Sequence, residues 1–419
     1  MAQTSSQALV AHALRRLTFG PAPEQVERFA AGNADPTKAA NAAIEWAFAA
    51  PAQPIIALGE DQWDSALRGW ISSMQSPEAG VHEKLTWFWH GHFATSSDKV
   101  GNMKILHAQQ ALLRKHALGN FGTLLREITT DPGMLLYLDG AGSSVEAPNE
   151  NYAREVMELF TIGRGSYTEA DVKAGALALA GWNVDYESGK VSFDESIALG
   201  GEVVYLGRRG RLGVDDVVSA LLAHPNCAPF VASKLWTYFI GVPPSKDRAA
   251  EFGKVFRDGN YEIAPLVQMI LRSPDFLNTR LSRPRFPVEW FLAANAAFGP
   301  PRDDVDDKDT NPWVLEQLDQ LPYRPPNVAG WPISAKWLSA SQQLARASYA
   351  WSYSWRMRPF EDRDLVSAAL WRCSIHECSD ETRRALEGAA MATAGSADAL
   401  SVSRRLIAAA LCSPEFALA

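Results

Sequence analysis

The sequence predicts a mainly α fold: a multi-helix globular domain over residues 1–419, with one small β-hairpin inserted near residues 183–206. Three observations carry this expectation. Apolar side chains recur at three- and four-residue spacing along most of the chain. Cap residues and prolines punctuate those stretches as helix ends do. Strand-like alternation is confined to one short region. The chain is 47% hydrophobic and 21% charged, which supplies a sizeable core and excludes a disordered protein. Fourteen tryptophans mean that much of this core is built from large flat rings.

Taken in order, residues 5–17, 22–31, 37–49, 62–72, 77–93, 102–118 and 121–130 read as helices of ordinary length. Ser76 followed by Pro77 predicts a capped start for the fifth. Asp131-Pro132-Gly133 stops the seventh. Residues 139–148 form a polar loop, residues 149–162 one further helix closed by Gly163-Arg164-Gly165, and residues 169–180 another. Then the period changes. Val184 and Tyr186 alternate, Ser188-Gly189 makes a turn, and Val191 and Phe193 alternate. Residues 203–206 add a strand, and Arg208, Arg209 and Arg211 fall at a turn tip.

Helical periodicity returns at 214–223, 229–240, 246–258 and 263–272. A short repeat appears: ILRSPDF at 270–276 matches ALCSPEF at 410–416, an apolar helix running into Ser-Pro, an acid and a phenylalanine. The acidic, proline-bearing stretch 299–311 is the best place for a loop or sub-domain break.

Several function classes are disfavoured. The net charge is −8 and no long basic run exists, so no nucleic-acid partner is expected. No stretch of about 18 apolar residues predicts a membrane span. The N-terminus lacks a basic start followed by an apolar run, so the chain reads as cytoplasmic. Four cysteines make no disulfide framework. Cys373, His376 and Cys378 cluster, but a second ligand pair is missing, so a helix end with two thiols is expected there rather than zinc. The nucleotide-binding glycine motifs, the nucleophile elbow, HExxH and CxxCH are absent.

Two stretches carry candidate chemistry. In GVHEKLTWFWHGHF (80–93) the helical face through His82, Leu85, Trp89, His92 and Ser96 is largely apolar. His90 lies about 200° around the helix from His92, so the two cannot share a ligand. His92 is the better candidate, with a core histidine bonded to a carbonyl as the alternative. In PNENYAREVMELFTIG (148–163), Tyr152, Val156, Leu159 and Phe160 form a buried stripe edged by Asn151, Glu155 and Glu158. Arg154 can pair with Glu158 at i, i+4. Two carboxylates and an amide beside a buried face suit a metal, a proton relay or a substrate amine, and equally an ion network reaching Arg15, Arg16 or His116.

These same segments carry a family resemblance. LRRLTFGP, WFWHGHF, HALGNFGTLLREITTDPGMLLYLDG, NENYAREVMELFTIG, HPNCAPFVASKLW, PPNVAGWP and SPEF occur in order over nearly the whole chain. The sequence resembles the bacterial family of unknown function numbered 1800. The resemblance implies one continuous helical domain, so the 299–311 stretch would be only a loop. Carried over by segment, the family's polar positions fall on Arg16, His92, His116, Asn149, Glu150, Asn151, Arg154, Glu155 and Glu158. One departure is FDESIALGG (193–201), which lacks the His-Asp pair that the family often shows there; this implies an altered or lost activity if that pair functions in relatives.

Three functions are open at this point. The first is an oxidoreductase using haem or a transition metal. His92 would be axial ligand or acid/base and Glu155, Glu158 and Arg154 would manage protons and charge. His92, Glu155 and Glu158 would form the metal set, and His116, Asn151 and Arg16 would help hold the cofactor. It is supported by a distant likeness to animal-type haem peroxidases, in which Ala147-Pro148 stands where an arginine is expected. The second is a metal-independent hydrolase or lyase using the Glu155/Glu158 pair and His92 on a small-molecule or peptide substrate. The third is a binding or assembly protein that docks a protein partner through the tryptophan-rich stretch from Trp331 to Trp355.

Overall fold

In the computed structural model, the described residues are 5–198, 200–303, 312–333, 335–362, 364–392 and 398–419. Among them, 23 helices account for a mainly α architecture, 60% helical, with only two small two-stranded antiparallel sheets. Side-chain caps explain most starts: Ser5, Asp35, Asp61, Asn102, Asn120, Asp131 and Thr168 each accept a bond from a first-turn amide. One hydrophobic cluster runs from Ala13 to Phe416, with Trp89, Trp290 and Trp337 among its largest fully buried side chains.

Three sequence expectations change. The helix expected from Pro77 starts at Val81, after Gly80, where a Cβ would collide with the Ala47 carbonyl. The hairpin region holds two hairpins rather than one. Trp182–Val184 pairs with Val191–Phe193, and Val203–Tyr205 pairs with Arg208–Gly210. The second turns on Leu206 and Gly207 at φ 48° and 82°, the left-handed pair a two-residue hairpin turn requires. Arg208 therefore lies in a strand and pairs with Asp216 at 2.7 Å. The helix expected over 149–162 is interrupted. An α-helical turn, Asn151–Glu155, passes into a π-helix, Val156–Thr161.

The short repeat holds as local structure. Ile263–Leu271 runs into Pro274–Asn278 and Ala399–Leu411 into Pro414–Ala417, with Ser273 and Ser413 at the caps and Phe276 and Phe416 fully buried. Of the 299–311 stretch, Gly299 follows the Pro287–Phe298 helix at φ 69°, Pro301 bridges Met357, and residues 304–311 lie outside the described residues. In FDESIALGG, residue 199 also lies outside them. No described helix is long and apolar enough to cross a membrane.

Candidate functional site

The Val81–His92 helix is buried along most of its length, and its polar residues explain how. Glu83 accepts from Arg114 at 2.7 Å and from the Trp70 indole at 2.8 Å. Lys84 and Arg283 reach one carboxylate, Glu289, at 2.5 and 3.0 Å. A buried charge survives only with such partners. The two histidines near its end point different ways, as their angular spacing requires. His90 Nε2 accepts the Tyr323 amide at 3.1 Å, which fixes its proton on Nδ1. Burial holds that imidazole down at about 3. His92 packs against Phe88, Trp89, Phe93 and Phe160.

His92 Nε2 lies 3.0 Å from the Phe160 carbonyl oxygen. A carbonyl only accepts, so Nε2 carries the proton and Nδ1 the lone pair. Nδ1 is buried without a hydrogen-bond partner. Burial, and then the charge of Lys234, keep this imidazole well below its ordinary value. It is neutral at physiological pH.

The π-helix explains why a carbonyl is free to meet it. The amides of Ile162 and Gly163 both turn back to the Met157 carbonyl, at 3.0 and 2.9 Å. The Leu159 and Phe160 carbonyls are thus met from outside the helix, as helix-end carbonyls commonly are. Phe160 is met by His92. Leu159 is met by Lys234, whose Nζ donates at 2.8 Å. Lys234 also lies over the Phe230 ring, 5.1 Å from its centroid. Among the described residues no carboxylate pairs with it. Burial pushes its ammonium down to about 8.

His92 and Lys234 line a cleft of about 370 Å³. One wall is the Val81–His92 helix through Trp87, Phe88 and Gly91, and a second is the Cys227–Ile240 helix through Phe230, Ser233, Lys234, Thr237 and Tyr238. Those spacings of three and four place them on one helical face. The third wall is the proline-rich stretch carrying Ala329, Trp331 and Ile333. Gly330, at φ 73°, lets it approach. A Cβ there would collide with the Gly91 carbonyl. Trp331 then stacks on Trp87 with ring centroids 5.0 Å apart and planes 16° apart.

The residues expected from sequence are distributed differently. His92 lines the cleft; Glu155 and Glu158 do not. Glu158 is bound by Arg164 and, at 2.5 Å, by the Tyr167 hydroxyl. Glu155 is half-buried, and burial followed by the neighbouring Glu158 raises its carboxyl above the usual range. Arg154 pairs with Glu169 at 2.7 Å and Glu150 at 3.2 Å rather than with Glu158. Asn151 donates to Asp139 at 3.1 Å, and the Asn149 side chain accepts the Asn151 amide at 2.8 Å. His116 pairs with Glu127 at 2.9 Å. Arg16 is fully buried and binds the Phe239, Thr279 and Ala419 carbonyls. It is outside the cleft. The expected metal set is not assembled: among the described residues no group of three or more His, Cys, Asp or Glu could hold an ion. Cys373 and Cys378 are free thiols, the first buried in the C-cap of Leu365–Arg372.

A family model described as a protein of unknown function, DUF1800, matches residues 12–418. The chain belongs to that family. No curated protein and no solved structure gives a significant match. All three walls of the cleft lie inside the family span, and each comes from a segment on which the resemblance rests: WFWHGHF, HPNCAPFVASKLW and PPNVAGWP. Lys234 was missed in the sequence reading. Its signal was a lone cationic side chain in an otherwise apolar and small-residue helix, Cys227–Ile240.

Proposed function

We propose that this chain takes a small, largely apolar molecule into the aromatic cleft and presents its polar end to His92 and Lys234 for acid–base chemistry. One observation carries the reading. Two titratable groups, a neutral imidazole and a lysine without a carboxylate partner among the described residues, line one apolar cleft, anchored on consecutive backbone carbonyls. Convergent polar groups with displaced ionisation in an apolar pocket are the usual form of a small-molecule site. Lys234 takes the part that the sequence reading gave to Glu155 and Glu158. For a transition-metal oxidoreductase, no group of three or more His, Cys, Asp or Glu is gathered among the described residues. Docking through Trp331 to Trp355 is weakened because Trp331 lines the cleft and Trp337 is buried, leaving Trp351 and Trp355 exposed.

The test is binding of anilinonaphthalene sulfonate, an apolar probe with one anionic end, followed by its own emission and by quenching of Trp87 and Trp331. Saturable binding abolished by Ser233→Trp, which fills the cleft, is the expected result. Binding that survives Ser233→Trp unchanged overturns the proposal.

A further inference from the structure

Lys234 differs from the lysines of this protein that are held by a carboxylate. Lys84, also buried, has Glu289 at 2.5 Å. The exposed Lys99, Lys115 and Lys254 each pair with a carboxylate. Lys234 has a carbonyl at 2.8 Å and a ring face at 5.1 Å, and it lines a cleft whose other walls are mostly aromatic. A single bond to Leu159 fixes the amine and stabilises either protonation state, since an amine and an ammonium can both donate to it. In its neutral form the nitrogen keeps a lone pair that this bond does not use. An amine desolvated among apolar side chains is the arrangement that makes lysine a nucleophile toward carbonyl compounds.

We infer that Lys234 captures an aldehyde or ketone carried by an apolar, ring-sized substrate and holds it as an imine. This inference rests on the cleft being a small-molecule site and names the substrate class for it. In the step, the Nζ lone pair forms a bond to the carbonyl carbon and the carbon–oxygen double bond opens to a carbinolamine. The carbon–nitrogen double bond then forms as the oxygen departs. The two protons lost by the amine leave with that oxygen as water, so no oxidant or co-reactant is consumed. Trp87, Trp331, Phe88 and Phe286 supply the flat apolar surface against which an aryl or alicyclic group would lie. The depressed ionisation of Lys234 supplies neutral amine near physiological pH, where exposed lysines are almost wholly protonated.

The full chain is incubated with benzaldehyde and sodium cyanoborohydride across neutral and alkaline pH, and benzylated lysines are located by peptide mass mapping. Lys234 is expected to be labelled about 10-fold or more above the exposed Lys104 near neutrality, given the neutral-amine fraction that burial gives Lys234. Labelling of Lys234 should rise with a midpoint near about 8. Lys234→Arg keeps a cation and a donor for the Leu159 carbonyl. It should fold, read by its circular dichroism, yet lose the preferential label. Labelling of Lys234 no stronger than that of Lys104, with the probe still bound in the cleft, overturns the imine and leaves the cleft reading standing. Absence of both cleft binding and selective labelling overturns both.

Discussion

His92 and Lys234 donate to consecutive carbonyls of one π-turn, Phe160 at 3.0 Å and Leu159 at 2.8 Å. This joins three segments far apart in sequence and brings two ionisable groups into the lining of one apolar cleft. Each bond satisfies a carbonyl that the π-helix leaves without an amide. The positions of the imidazole and the amine are therefore set by backbone geometry rather than by an opposite charge.

His92→Phe removes the donor and leaves the Phe160 carbonyl buried and unmet. A loss of about 1–3 kcal/mol in unfolding free energy is expected, measured by urea denaturation. The folded variant should retain Lys234 labelling, because the bond from Lys234 to Leu159 is separate.

Glu158→Gln tests the carboxylate role. Glu158 faces Arg164 and Tyr167 outside the cleft. The substitution should cost less than about 1 kcal/mol and leave cleft binding unchanged. Loss of probe affinity on this substitution would return the carboxylate to the site.

Gly330→Ala places a Cβ against the Gly91 carbonyl at a left-handed φ of 73°. The proline-rich wall must then move off the Val81–His92 helix. Stability should fall by about 1–3 kcal/mol, and the near-ultraviolet circular dichroism of the stacked Trp87 and Trp331 should weaken. An unchanged aromatic spectrum would contradict the close approach.

Acid should destabilise the fold through buried histidines. His90 is lowered from 6.5 to about 3 by burial. Its folded value is below its unfolded value, so the unfolded chain binds the proton first. The stability this group contributes is full above pH 6.5 and declines as pH falls from there toward about 3. The slope is about 1.4 kcal/mol per pH unit for one such group. His90→Gln, which can still accept the Tyr323 amide, should flatten the decline by that amount in denaturation curves collected between those limits.

Glu289→Gln leaves Lys84 and Arg283 buried without their shared carboxylate. A cost of about 3–5 kcal/mol is expected, read as a lowered denaturation midpoint. A near-neutral result would mean that water reaches these cations.

Much of the scaffold was legible because its signals are local. The stop at Asp131-Pro132 and the two Ser-Pro turns act through atoms within a few residues, and they appear where the sequence places them. The angular separation of His90 and His92 is likewise a property of the helix alone. The site was legible only in part. Asn151, Glu155 and Glu158 align on one edge of an uninterrupted α-helix, but a π-turn begins at Val156 and changes the phase beyond it. No apolar period announces that change.

The sequence by itself determined a helical protein with a small hairpin insertion and marked His92 as an imidazole on an apolar face. Periodicity and capping are short-range and survive without knowledge of the fold. Only the tertiary structure decided what each polar group meets. It turned Glu158 to Arg164 and Tyr167. It set Lys234 beside His92 across a break of more than a hundred residues, and it closed the cleft with Trp331. Such partnerships depend on how distant segments register against one another, through the approach of Gly330 to Gly91 and the unmet carbonyls at the end of the π-turn.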